Sequence, residues 1–410
     1  MKFFTLNNIS FSLVSFSFLL KVGAGILLGL VYTHYYKDSG DTFQYFNDGN
    51  KLHAVLLAHP VDYLKILSGL APDNEYFREN YFNSMLYWGN NDFDFFFGDS
   101  QTIIRINSII RIFSFGVYNV HVVFFSFFSF AGLIALYRFF SGLIKRNHRI
   151  VYAGIFLLPS VAFWSSGALK EAVAIFAIGF FLHFSLKYVN KKSVRNGIMV
   201  LLFLFLLVLI KFYYLIALLP GISGYLWCRN KQNIYLKYFT THIVWLLLLY
   251  STRFIVPDYN VPVILSYKQN NFVNMAVASG SGSIFSTEKL HPVWRDIIKK
   301  SPDAFLSVLL NPLTFSRHKI LALLSSLETV LVLLLLMAAL IAFRKPEQED
   351  YPLLIFALSF VIITFTLIGL TTPVAGALVR YKTITLPWLI FMLVYIIDFG
   401  SLKNYFSRTK

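Results

Sequence analysis

The stretch from Val14 to Asp48 reads VSFSFLLKVGAGILLGLVYTHYYKDSGDTFQYFND, and it decides the fold class. Residues 14–33 are largely apolar apart from Lys21 and two serines. About 20 such residues are enough for a helix to cross a bilayer. The chain becomes polar directly afterwards, so Asp41 is predicted to lie near the membrane–water interface. No small-x-small cleavage site precedes the polar region, so we expect the first span to be retained.

The composition of the whole chain indicates a membrane protein. Of its 410 residues, 57% are hydrophobic and only 14% are charged, which is too apolar for a soluble globule. The net charge of +16 comes from short basic clusters between apolar runs, a pattern typical of loops that flank membrane spans. No nucleic-acid partner is therefore predicted. The single cysteine, Cys228, excludes an internal disulfide and a cysteine-built metal site.

The apolar runs predict an all-α, polytopic transmembrane protein with about ten spans in a single integral membrane domain, residues 1–410. The predicted spans are 11–33, 118–140, 150–167, 171–189, 197–211, 212–228, 238–257, 320–343, 352–371 and 383–399. The pairs joined at Lys170-Glu171 and at Lys211 are short and also fit broken or re-entrant helices.

The basic residues predict the orientation of these spans, because cytoplasmic loops carry an excess of lysine and arginine. If the N-terminus is cytoplasmic, every large basic cluster lies on the cytoplasmic side. The C-terminus is then predicted to be cytoplasmic as well. These clusters are Arg138/Lys145/Arg146/Arg149, Lys187/Lys191/Lys192/Arg195, Arg229/Lys231/Lys237, Arg344/Lys345 and Lys403/Arg408/Lys410.

Two long polar segments, 34–117 and 258–318, are then the first and second extracytoplasmic loops. The first contains ten of the 20 acidic residues of the chain: Asp38, Asp41, Asp48, Asp62, Asp73, Glu75, Glu79, Asp92, Asp94 and Asp99. Apolar residues within 52–67 recur at near-helical spacing, which predicts helices that lie in the membrane interface. The second loop contains the Ser/Gly stretch 279–283, which is expected to be a flexible hinge or lid.

Charged residues within or at the ends of spans are costly and need a reason. They are Lys21, Lys170, Glu171, Lys211, Glu328, Arg380 and Lys382, and all except Lys21 are predicted near the extracytoplasmic boundary. Their shared side favours a common polar cavity, while snorkelling or structural ion pairing is the alternative for each one. The run Arg380-Tyr381-Lys382 suits a phosphate at the membrane surface, because arginine grips phosphate oxygens with two donors.

Asp41 is the leading candidate for chemistry, as a general base that takes a proton from an acceptor hydroxyl. The alternative is an exposed loop acid or a helix N-cap. Asp48, seven residues later, is the reserve candidate. The nine histidines form no HExxH pattern, so no metal site is predicted. No cofactor is required by the sequence, and a role for a divalent cation is left open.

Three stretches resemble bacterial membrane glycosyltransferases of the GT-C type, which use polyprenyl-phosphate-linked sugars. They are GDTFQY from Gly40 to Tyr45, LPSVAFWSSGALKE from Leu158 to Glu171, and Arg380-Tyr381-Lys382 with Pro387. Glu328 also fits members linked to exopolysaccharides. The resemblance implies a GT-C-like fold in the bacterial cytoplasmic (inner) membrane, with Asp41 as base and Arg380 near the carrier phosphate. The chain departs from this family in lacking an Asp-Glu pair in the first loop and in having a C-terminal tail of only about ten residues with no soluble domain. Because protein-modifying members often carry an additional extracytoplasmic domain, the acceptor is left open.

The resemblance implies transfer of a sugar from a polyprenyl-phosphate donor to a glycan, lipid or protein acceptor, in polysaccharide biosynthesis at the cell envelope. An O-antigen or exopolysaccharide polymerase is the runner-up, and it would act on diphosphate-linked oligosaccharides. A lipid or glycan transporter is the alternative of another class. A transporter should carry cations along both halves of its path, whereas the charges here gather on one side.

Overall fold

The structure is a computed structural model that describes residues 2–34, 40–89, 98–142, 147–228, 232–255, 260–278, 280, 283–284, 288–313 and 320–408. In this part the chain is all-helical, with 80% helix and no strand. Several residues named above lie outside the described ranges: Asp38, Asp92, Asp94, Lys145, Arg146, Arg229, Lys231, Lys410 and most of 279–283.

In chain order the helices are α1 (Phe11–His34), α2 (Asp41–Ala58), α3 (Pro60–Ser68), α4 (Glu75–Asn80), α5 (Asp99–Ser114), α6 (Tyr118–Phe140), α7 (His148–Phe156), α8 (Pro159–Trp164), α9 (Lys170–Asn190), α10 (Val194–Trp227), α11 (Ile234–Ile255), α12 (Val261–Ala278), α13 (Trp294–Leu310), α14 (Ile320–Ile341), α15 (Tyr351–Thr371), α16 (Ala375–Lys382), α17 (Leu386–Ile396) and α18 (Phe399–Arg408). A 3₁₀ turn at Phe82–Ser84 follows α4. Both predicted loops are therefore largely helical, with α2 to α5 in the first and α12 and α13 in the second.

Six helices in the described ranges are long and apolar enough to cross a membrane: α1, α6, α9, α10, α14 and α15. The pair α16 and α17, bent by 63°, would make a seventh span. The predicted spans 11–33, 118–140, 171–189, 320–343 and 352–371 each coincide with one of the six. The prediction of a polytopic helical membrane protein is confirmed, and the count of about ten spans is not.

The differences from the predicted spans have local causes. The run 150–167 forms two short helices, α7 and α8, because Pro159 restricts the residue before it to non-helical backbone. Residues 197–228 fall largely in α10 (Val194–Trp227), which consists of two helical segments that meet at the non-helical residue Lys211, so the predicted break is present. By length and composition the whole of α10 is one candidate span. Helix α11 (Ile234–Ile255) covers residues 238–255 of the predicted span 238–257, and residues 256 and 257 lie outside the described ranges. Polar residues such as His242 and Arg253 lower the hydropathy of α11 below that of the six candidates.

The chain divides into two compact units. Unit 1 comprises residues 1–142 and 161–215, where α6 packs against α9 and α1, and α2 packs against α5. The crossing of α6 and α9 is close because Gly132 and Gly179 face each other. A Cβ built on Gly179 would lie 2.0 Å from the carbonyl oxygen of Gly132. Small residues at a crossing let two membrane helices approach with favourable van der Waals contact.

Unit 2 comprises residues 143–160 and 216–410. Its helix α13 packs against α15, and α17 packs against α7, α14 and α15. The indole ring of Trp388 is fully buried, with its centroid 4.7 Å from that of Phe360 and 5.3 Å from that of Phe356. This aromatic cluster fixes α17 on α15.

Candidate functional site

Asp41 is the first residue of α2, on a turn that only glycine allows. Gly40 precedes it with a φ of 140°, and a Cβ at Gly40 would lie 2.3 Å from a ring carbon of Tyr32. L-residues avoid this positive φ, whereas glycine adopts it freely. Gly40 holds the N-cap position, so the alternative interpretation of Asp41 as an N-cap is wrong. A carboxylate in the first turn is favoured by the helix dipole.

An apolar cluster brings the start of α9 to the start of α2. Leu28 and Tyr32 of α1 pack with Leu169, all three buried, and Phe43 of α2 packs against them. On the next turn, the hydroxyl of Thr42 forms a 2.6 Å hydrogen bond with that of Tyr118 in α6. Because Leu169 precedes Lys170, this packing places the ammonium group of Lys170 near Asp41.

The Asp41 carboxylate is half-buried, and both a polar and a charged side chain of unit 1 lie beside it. The hydroxyl of Tyr87 donates to its Oδ1 at 3.4 Å, and the positive charge of Lys170 attracts it. Lys170 itself donates to Asp99 Oδ1 at 2.5 Å and to Ser100 Oγ at 3.0 Å. These bonds fix the direction of the lysine side chain, since Asp99 begins α5.

The next residue, Glu171, pairs with Lys211 inside the unit. Lys211 Nζ lies 3.6 Å from Glu171 Oε1, and the two side chains are 6% and 0% exposed. Lys211 is also the point at which α10 is interrupted, with φ −157° and ψ 77°. The hydroxyl of Thr102 in α5 donates to the carbonyl of Leu209, beside the interruption, at 3.3 Å. The predicted broken helix at Lys211 thus coincides with a buried ion pair.

We call these five residues the charge cluster: Asp41, Asp99, Lys170, Glu171 and Lys211. Four of them are at the first turns of α2, α5 and α9, and the fifth is at the interruption of α10. Sequence reasoning singled out four but did not assign Asp99 a role, and it missed Tyr87. The sequence indicated Asp99 only indirectly, because the charge of Lys170 requires an acidic partner. No feature of the sequence indicated Tyr87.

Asp48 is fully buried and faces another segment. Its carboxylate accepts the backbone N–H of Leu86 at 3.2 Å and that of Tyr87 at 2.8 Å, and it lies 3.6 Å from Lys51 Nζ. These contacts hold the segment after the 3₁₀ turn. Such contacts are typical of a carboxylate that holds a neighbouring loop in place.

Lys21, in the middle of α1, is buried and bonds to neutral groups of unit 1. Its Nζ donates to the carbonyl of Val161 at 3.1 Å and to Ser165 Oγ at 2.6 Å. Ser129 of α6 also donates to Ser165, at 2.9 Å. Lys21 therefore joins α1 to the stretch that precedes Lys170.

The other predicted site residues lie in unit 2. Lys382 is buried and donates to the carbonyl of Asn311 at 2.8 Å and to Thr329 Oγ1 at 3.3 Å. Glu328 is also buried, and its Oε2 accepts the backbone N–H of Ser160 at 2.8 Å. Among the described residues its Oε1 has no hydrogen-bond partner.

Arg380 and Tyr381 share the last turn of α16 and are half-buried. The ring of Tyr381 meets that of Phe272 in α12 edge-on, with 6.2 Å between centroids. The predicted residues thus form two sets, one in each unit.

The described ranges contain no group of three or more His, Cys, Asp or Glu side chains that could hold a metal ion. Comparison with protein-family models, with curated proteins and with solved structures gives no match for this chain. The functional assignment therefore rests on the residues and their geometry.

Proposed function

We propose that the chain is a membrane glycosyltransferase of GT-C type. It moves a sugar from a polyprenyl-phosphate-linked donor to a glycan, lipid or protein acceptor at the extracytoplasmic face of the bacterial cytoplasmic membrane. The observation that carries the proposal is the placement of Asp41. Its carboxylate follows the first candidate span directly, on a glycine turn, and contacts Tyr87 and the charge of Lys170.

In the proposed reaction Asp41 takes the proton of an acceptor hydroxyl as that oxygen bonds to the anomeric carbon of the sugar. The bond between this carbon and the phosphate oxygen breaks, and its electron pair leaves with the lipid phosphate. A positioned carboxylate contributes about 10² to 10⁴ in rate to such a step. The positive charge of Lys170, itself held by Asp99, attracts this carboxylate.

We assign the donor phosphate to Arg380, because a guanidinium offers two parallel donors to phosphate oxygens. Lys382 and Glu328, which are also predicted to bind substrate, are both buried and bond to the protein itself, and their role toward the substrate stays a prediction. Arg380 is half-buried at the end of α16 and carries a charge independent of pH in the physiological range.

The exposed apolar face of α3 supports a position in the membrane interface, where a lipid-linked donor is presented. Leu57 at the end of α2 and Val61 and Leu64 of α3 are 78%, 66% and 59% exposed. On the opposite face Tyr63 and Ile66 are buried. Tyr63 bonds to Ser108 of α5 at 3.2 Å between hydroxyls. Helix α3 thus has one face that packs against the protein and one exposed apolar face, which is typical of a helix in the membrane interface.

The test is donor cleavage by the purified chain in proteoliposomes, with a panel of radiolabelled polyprenyl-phosphate and polyprenyl-diphosphate sugars. We expect release of the sugar to an acceptor from a monophosphate donor. Turnover of diphosphate-linked oligosaccharides alone would instead identify a polymerase. Movement of the intact labelled lipid across the bilayer without cleavage would identify a transporter and contradict the proposal.

A further inference from the structure

We propose that Asp48 is a positioning residue that holds Tyr87 against the carboxylate of Asp41. The inference rests on the proposed function, in which Asp41 is the base. It gives Asp48 a role different from that of a reserve base, because its carboxylate acts on the reaction only through Tyr87.

The segment from Ser84 to Tyr87 is fixed to α2 at several points. Lys51 Nζ donates to the carbonyl of Ser84, and Asp48 accepts the backbone N–H groups of Leu86 and Tyr87 at 3.2 and 2.8 Å. Asp48 is 0% exposed, so a carboxylate without these donors would carry a large desolvation cost. The buried Asp48 carboxylate therefore depends on the backbone donors of the segment, and the segment depends on Asp48 for its position.

The fixed segment runs antiparallel to α2 and ends at Asp41. Ser84 lies at Lys51, the amides of Leu86 and Tyr87 lie at Asp48, and the hydroxyl of Tyr87 lies 3.4 Å from Asp41 Oδ1. Asp41 and Asp48 are seven residues apart on one helix face, or about 10 Å along the axis. Tyr87 contacts both carboxylates, with its backbone N–H at Asp48 and its hydroxyl at Asp41.

The ring of Tyr87 also packs against α2. It meets the ring of Tyr45 edge-on, at 5.3 Å between centroids and an interplanar angle of 63°. Tyr45 is buried, and its own hydroxyl lies 3.5 Å from Ser100 Oγ, which also accepts a bond from Lys170. The Tyr87 hydroxyl therefore approaches Asp41 from a defined direction, and a donated hydrogen bond stabilises the ionised form of a carboxylate.

The experiment measures kcat, KM and the pH profile of donor cleavage for Tyr87→Phe, Asp48→Asn and Asp48→Ala. A lost hydrogen bond of typical strength lowers kcat by about 2- to 12-fold. We expect this loss in Tyr87→Phe with an unchanged KM for the donor. The acid limb of the profile should move upward by about 0.4 to 1 pH unit, because the base loses a donor to its ionised form.

The Asp48 variants separate positioning from catalysis. Asp48→Ala should shift the acid limb as Tyr87→Phe does, and the double variant should be no slower than Asp48→Ala alone, since both act on one interaction. Asp48→Asn keeps one acceptor oxygen and should recover part of the loss. If Asp48→Ala does not fold, the cycle is run with Asp48→Asn. Asp62→Asn is the matched control, because Asp62 holds Tyr76 and Tyr81 in the same polar segment.

The outcomes distinguish the two levels of the argument. Absence of donor cleavage by the wild type defeats the proposed function itself, and full activity of Asp41→Asn defeats the assignment of Asp41 as base, on which the inference rests. Loss of activity in Asp41→Asn together with an unshifted profile and normal kcat in Tyr87→Phe overturns only the present inference. Asp48→Asn as inactive as Asp41→Asn also overturns it, since Asp48 would then act as a base. A pH shift in Asp62→Asn equal to that of Tyr87→Phe would contradict it too, by showing a general effect of the segment.

Discussion

Replacing Lys211 by methionine should destabilise the protein strongly, because it leaves Glu171 charged and buried. The two side chains are 6% and 0% exposed and their charged atoms are 3.6 Å apart, so solvent screens the pair little. At this distance and an effective dielectric constant of about 20, Coulomb's law gives about 4 to 5 kcal/mol of attraction. Breaking a buried pair costs about 3 to 5 kcal/mol in unfolding free energy. We expect a loss in this range for Lys211→Met.

The double variant Glu171→Met with Lys211→Met removes both charges and leaves two unbranched apolar side chains. Replacement of a whole buried pair is often neutral, so the double variant should regain most of the lost stability. The assay is SDS-induced unfolding of the purified proteins in micelles, followed by circular dichroism. A double variant no more stable than Lys211→Met would refute the reasoning, as would an unchanged single variant.

A matched control is available at the same distance. Lys300 Nζ lies 3.6 Å from Glu288 Oε2, but the side chain of Glu288 is 84% exposed. Exposed pairs contribute about 0 to 1 kcal/mol, so Glu288→Gln should change the unfolding free energy by no more than this. The contrast between the two pairs isolates burial, because the separation of the charges is equal.

Three further predictions concern other parts of the chain. Gly40→Ala should lower the unfolding free energy by more than about 1 kcal/mol, because the φ of 140° at Gly40 and the nearby ring of Tyr32 exclude a Cβ. Gly89→Ala is the control, since no atom lies within 4 Å of the Cβ position there, and thermal unfolding measures both variants. The backbone N–H of His291 lowers the pKa of Asp296 to about 2, so its stabilisation is complete above the ordinary pKa of 3.8 and is lost as pH falls toward 2. Asp296→Asn should flatten this part of a stability profile, and an unchanged slope would contradict the assignment. Arg380→Ala should weaken the binding of polyprenyl phosphate about tenfold to a hundredfold, and Arg380→Lys should weaken it less. Folded variants that bind polyprenyl phosphate as tightly as the wild type would contradict a phosphate role for Arg380.

The spans and the charged residues of interest were predictable because both leave a one-dimensional signal. An uninterrupted apolar run such as that of α6 predicts a membrane helix from its length alone. Lys170, Glu171 and Lys211 stand out because a charge in apolar surroundings needs a partner. The structure provides one for each, in Asp99 and in the Glu171–Lys211 pair.

What the sequence could not predict depends on packing between distant segments. Tyr87 follows Asp41 by 46 residues, and the attachment of its segment to α2, at Asp48 among other points, brings the two together. The role of Asp48 was unpredictable for the same reason, since its partners are backbone amides without a side-chain signature. Hydropathy counts the segments on either side of Lys211 as separate spans, whereas by length and composition the whole of α10 is one candidate span.

The most direct test of the central claim is the turnover of Asp41→Asn in the donor-cleavage assay, beside Asp73→Asn. Asparagine keeps the shape of the side chain and removes its basicity, whereas Asp73 is an exposed acid that pairs with Arg78. Asp41→Asn should fold as the wild type does, and its turnover should fall by about a hundredfold or more, whereas Asp73→Asn should be normal. Near-normal cleavage by a folded Asp41→Asn protein would contradict the claim that this carboxylate is the base.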